Sequence, residues 1–125
     1  MRLSAAPVCL AAVTFAALSG CGDRNAGGLS SEPVPDDPDA GVVADAMAFD
    51  PDEVRVRAGE PVTIVLDNRD DGVNHNLHVE EAPAPNKTEL ERGPSQQALT
   101  VTLHAGEYEF VCDIHPDMTG SLVAE

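Results

Sequence analysis

The chain has no tryptophan, one tyrosine and three phenylalanines in 125 residues, so aromatic clusters cannot carry its core. Val, Leu, Ile and Ala must do so, and with ten Gly and ten Pro the composition favours short strands and turns over long helices. Basic residues are also scarce: seven against 22 acidic ones, a formal charge of −15. Nucleic acid and anionic membrane surfaces repel such a chain, which argues against nucleic-acid binding and for a cationic partner. No apolar run is long enough to hold a mature chain across a bilayer. Setting residues 1–40 aside, for the reasons below, leaves 85 residues, enough for one modest core and too few for a large multi-step enzyme. The sequence also lacks a nucleophile–base pair, a Gly-rich phosphate loop and matched catalytic carboxylates, so an enzyme is not expected.

Cysteine is the third scarcity, and its placement is informative. Residues 1–20 open with Met1-Arg2 and continue through a mostly apolar run from Ala5 to Leu18, broken by Pro7 and Thr14. They read as a secretory signal peptide. The exit sequence Leu18-Ser19-Gly20-Cys21 resembles the bacterial lipobox, which implies lipid on Cys21 and cleavage just before it. Several acyl chains on one residue anchor a protein durably where a single chain does not. Residues 21–40 are then a disordered tether, rich in Gly, Asn, Ser, Pro and Asp. With Cys9 removed in the leader and Cys21 lipidated, Cys112 is the only thiol of a domain that spans residues 41–125. A lone thiol exported into an oxidising compartment is best explained as a metal ligand.

From residue 41 the hydrophobic period is two and no helical stretch emerges. Val54 and Val56 alternate, Ala58-Gly59-Glu60-Pro61 turns, and Val62 to Leu66 runs into the polar cluster 67–72. Leu77 and Val79 share a face with His75; Leu99, Val101 and Leu103 form another strand; Tyr108, Phe110 and Cys112 point one way and Glu107, Glu109 and Val111 the other. About six or seven short strands at this spacing predict an all-β, antiparallel Greek-key β-sandwich. The Pro- and Glu-rich connection 81–98 is expected to hold a helical turn near Lys87–Arg92. The acidic positions Asp67, Asp70 and Asp71 lack calcium-loop spacing and read as a solvated loop.

Chemistry concentrates in Cys112-Asp113-Ile114-His115-Pro116-Asp117-Met118-Thr119-Gly120, where a thiol, an imidazole and a thioether recur every third residue. Pro116 and Gly120 argue against a helix and for a tight loop that turns all three donors onto one point. His75 supplies a second imidazole. Two His, one Cys and a weak Met make a ligand set that suits copper in an electron-transfer site, although zinc accepts the same His and Cys donors. His78, of opposite parity to His75, reads as a surface side chain, and His104, at a strand end, as a solvated histidine.

Two separated motifs, His75-Asn76-Leu77-His78 and Tyr108-Glu109-Phe110-Val111-Cys112 with His115-Pro116 and Met118, resemble the cupredoxins. Within the plastocyanin/azurin group they are most similar to the amicyanin branch. Phe49-Asp50-Pro51 and Val54-x-Val56-x-x-Gly59 resemble that family's first hairpin. The resemblance implies one type 1 copper ion, held by His75, Cys112 and His115 in a plane with Met118 on the axis. It also implies that Asn76 hydrogen-bonds across to the loop bearing Cys112. The expectation is a monomeric blue copper protein, lipid-anchored to the bacterial cell membrane and facing the periplasm or the exterior. Its role is to carry single electrons between redox protein partners, for instance a cationic c-type cytochrome. A copper storage or delivery protein without a redox partner is the alternative.

Overall fold

The computed structural model describes residues 29–30 and 32–125; the expected leader and Cys21 lie outside the described residues. Twelve strands follow one another: β1 (Leu29–Ser30), β2 (Ala40–Asp45), β3 (Ala48–Asp50), β4 (Glu53–Val56), β5 (Pro61–Asn68) and β6 (Asn74–His75), then β7 (His78–Val79), β8 (Lys87–Thr88), β9 (Glu91–Arg92), β10 (Ser95–Thr102), β11 (Gly106–Cys112) and β12 (His115–Ala124). One sheet runs β1-β8-β7-β11-β12-β4, a second β10-β5-β2-β3, and β6 pairs with β9. The two large sheets close on a core of Val42, Ile64, Leu66, Leu99, Phe110 and Leu122 with their neighbours. Phe49 of the second sheet meets Phe110 of the first edge-on, with ring centroids 5.3 Å apart.

The all-β sandwich agrees with the period-two pattern, because alternation is what a sheet with one buried face requires. The longest ladders, β5–β10 and β11–β12, are antiparallel, whereas β2–β5 and β4–β12 run parallel. Strands β4 and β5 belong to opposite sheets, so Val54 and Val56 face Val62 and Ile64 across the core, and the turn at Gly59 (φ 81°) carries the chain between layers.

Three further expectations are corrected. Residues Lys87–Arg92 form β8 and β9 and no helical turn; Thr88 there is tied to Leu77 by two bonds, one from its own amide and one to its hydroxyl. The boundary at Gly41 falls inside β2. Part of the assumed tether lies along the sandwich: Leu29–Ser30 pairs with β8, Glu32 accepts from the Thr100 amide, and Asp39 accepts from the Thr63 amide and Arg57. Acidic side chains that read as solvating thus find backbone donors on a neighbouring strand. Close approach also explains Gly120, where any Cβ would collide with the Phe110 ring and the Asp52 carbonyl.

Candidate metal centre

At one end of the sandwich, β6 delivers His75 and β11 delivers Cys112, both fully buried. The turn Asp113–Ile114 brings the chain straight back, so that Cys112 and His115 are cross-strand partners. The next pair along the ladder is Val111 with Thr119, and Pro116, Asp117 and Met118 therefore bulge out between the two pairs. Here the expected loop is shorter than supposed: β12 already starts at His115, and the bulge accommodates a proline that has no N–H to give a ladder. Met118 turns inward and is buried, while Ile114 stays half-exposed.

Three donors converge. The Nδ1 atoms of His75 and His115 lie 3.1 Å apart, and Cys112 Sγ is 3.8 Å from the first and 3.4 Å from the second. The two imidazole rings meet edge-on at 4.8 Å between centroids. Met118 lines, with Met47, Ile114, His115 and Pro116, a hollow at the surface of this end. Among the described residues no other group of three His, Cys or acidic side chains comes together in this way.

His75 is held by a protein group behind it. His75 Nε2 lies 2.7 Å from the Asp70 carboxylate, which makes Nε2 the protonated nitrogen and leaves the Nδ1 lone pair for the cluster. Asp70 also accepts from the amides of Ala46, at 2.7 Å, and Met47, at 3.0 Å. Burial alone would raise its carboxyl pKa, but the bonds from His75, Met47 and Ala46 outweigh it and the net direction is downward. The reading of Asp70 as a solvated acid is therefore wrong; its side chain is 13% exposed.

Asn76 reaches across to the turn after Cys112. Its Nδ2 donates to Asp113 Oδ2 and its Oδ1 accepts from the Asp113 amide, each at 2.9 Å, so one side chain staples the His75 segment to the turn after Cys112. Asp113 also takes His78 Nδ1 at 2.7 Å and Lys87 Nζ at 3.3 Å. Burial pushes the Asp113 carboxyl up, but the bonds from His78, Asn76 and Lys87 outweigh it, so its pKa too is lowered. His78 lies outside the donor cluster as expected, but it is more than a surface side chain, with Asp113 on one ring nitrogen and Asn86 on the other. His104 is exposed at the end of β10, and its carbonyl accepts from the Tyr108 hydroxyl.

A buried thiol with two imidazole Nδ1 atoms and a nearby thioether fits copper by the softness of its donors. The cupredoxin-like domain model matches residues 8–124. The chain belongs to the cupredoxin-like family. An amicyanin-alpha from Methylorubrum extorquens is 36% identical over 83 residues, 63% of this chain and 66% of the relative. Among solved structures, amicyanin from Paracoccus versutus is 28% identical, with a TM-score of 0.54 over 74% of this chain and 85% of the other. Auracyanin from Roseiflexus castenholzii, 22% identical over 69% of this chain and 95% of the other, shares the fold with a TM-score of 0.60. Cupredoxins of this kind are copper electron-transfer proteins, and in this one His75, Cys112 and His115 form a candidate copper site.

Proposed function

We propose that this cupredoxin is an exported, lipid-anchored, non-enzymatic carrier of single electrons. One type 1 copper would be held by His75, Cys112, His115 and Met118. The observation that carries this reading is the convergence of two Nδ1 atoms and one sulfur within 4.8 Å of one another, with His75 backed by the Asp70 carboxylate. A copper ion supplies a one-electron Cu(II)/Cu(I) couple there. The protein holds a compromise ligand set, so that little reorganises on electron arrival. Cys112 supplies the thiolate, and His75 is locked from behind by Asp70. His115, half-buried beside Met47, Ile114 and Pro116, offers its edge to a partner.

The partner we propose is a cationic redox protein such as a c-type cytochrome, because residues 41–125 carry 17 acidic and five basic side chains, a net −12. Several of those cations are already paired, Arg55 with Glu53, Arg57 with Glu60, Arg69 with Asp67 and Lys87 with Asp113. A monomer tethered through Cys21 to the bacterial membrane would meet such partners at that membrane.

Metal analysis with a visible spectrum, on protein purified from its native membrane, tests the centre. An intense thiolate-to-Cu(II) band and a reversible potential support the carrier; zinc, or rapid surrender of Cu(I) to a chelator without a reversible couple, overturns it. Cys21→Ser tests the anchor: the copper-binding domain should move to the soluble exported fraction or keep its leader. Firm membrane binding after verified processing would refute lipidation.

A further inference from the structure

The β2–β3 hairpin closes through two residues, Ala46 and Met47, between the paired Asp45 and Ala48. Both have left-handed backbones, with φ of 50° and 62°. Positive φ at both central positions marks a type I′ turn, which is usually built from Asn-Gly or Asp-Gly. Alanine and methionine in that region cost roughly 1–2 kcal/mol each, so something outside the turn must hold it. That something is Asp70, 23 and 24 residues away in the chain, whose two carboxylate oxygens take the two turn amides. The same carboxylate takes His75 Nε2. Met47, the tip of the turn, is half-exposed and lines the hollow beside His115.

We infer that Asp70 is a positioning residue with two linked tasks: it fixes the tautomer and orientation of His75, and it sets the strained Ala46–Met47 turn at the rim where a partner would land. Asp70 is itself held, because the buried Asn68 accepts from the Asp70 amide and donates to the carbonyls of Val73 and Glu91. An anion bonded to a ligand's ring N–H raises the basicity of that ligand. It therefore favours the more highly charged metal, and removing its charge should raise the reduction potential. This part rests on the copper reading above.

The test uses the full copper-loaded chain and the variants Asp70→Asn and Asp70→Ala. Asp70→Asn keeps the shape, but one carbonyl oxygen cannot serve three donors. At a fixed electrode potential its Cu(II)/Cu(I) ratio should fall about tenfold, some 59 mV for one electron, with the blue colour kept. In the reduced protein, amide exchange at Ala46 and Met47 should accelerate about tenfold or more in Asp70→Ala, since each bond to the carboxylate is charge-assisted. The His75 Nε2 proton should lose its protection as well. Should Asp70→Ala fail to fold, the same exchange is read in Asp70→Asn. Wild-type protein without blue copper would overturn the copper reading alone, and the exchange measurement would still decide the turn. A blue Asp70→Asn with wild-type potential, or Ala46 and Met47 amides that exchange as before, would overturn the inference.

Discussion

The two chain segments that build the centre obtain their geometry by opposite means. Cys112, His115 and Met118 lie within seven residues of sequence, and a two-residue turn followed by a bulge delivers them. The segment around His75 is the reverse. Its donor is fixed by Asp70, which also holds a hairpin turn more than twenty residues earlier, and the whole segment is tied by an Asn76 bond to Asp113, 37 residues later. A local ligand cluster can be written into a motif, while a distant ligand must be held by the fold.

Removing the thiol should have the largest effect. Cys112→Ala is expected to abolish the intense visible band outright, because the domain has no second thiol; a coloured variant would show that the sulfur is not a ligand. Cutting the staple between the segments comes next. Asn76→Ala leaves the Asp113 amide and carboxylate short of a partner and should destabilise the domain by about 2–3 kcal/mol, read by chemical denaturation, with the visible band shifted. A loss under about half a kcal/mol would mean that the two segments hold independently. Met118→Leu, inside the local cluster, should cost less than about 1.5 kcal/mol because the volumes match. It should keep the colour and raise the potential, since losing a weak donor disfavours Cu(II) more than Cu(I); an unchanged potential would remove Met118 from the axis.

Acid should act most gently. Asp70 and Asp113 both have lowered carboxyl pKa values in the fold, so the unfolded chain takes up their protons first as pH falls. Their contribution to stability is complete above the ordinary carboxylate value, about 3.9, and is lost as pH drops through the lower folded values. Denaturation midpoints should hold from neutral pH to about 5 and decline below about 4, with a smaller decline in Asp113→Asn. A midpoint that rises in acid would reverse the sign.

Much of this was legible in the sequence, for a physical reason. Alternation along Val54–Val56, Val62–Leu66, Leu99–Leu103 and Tyr108–Cys112 follows from sheets with one buried face, and the three-residue donor spacing is a local property. Asn76 was legible only through resemblance to a family. Asp70 was not: beside Asp67 and Asp71 it looks like any solvated acid, and the Ala46–Met47 turn that it holds lacks the Asn-Gly signature that would have marked a hairpin. The pairing of β1 and β8, two residues each, and the docking of Glu32 and Asp39 were hidden because periodicity cannot announce strands that short.

The Asn76–Asp113 staple bears on the order in which the molecule assembles. The sandwich around the centre pairs strands that are mostly distant in the chain, β5 with β10 and β4 with β12 among them, a topology that folds on a timescale of about milliseconds to seconds. The bonds that set the donors run to Asp70, Asn76 and Asp113, all of them protein groups. Closing the long loops is therefore the work of the sandwich, and capture of the ion is a separate bimolecular event at its end. Metal uptake by folded protein should rise linearly with free copper, at a rate unrelated to that of refolding from denaturant.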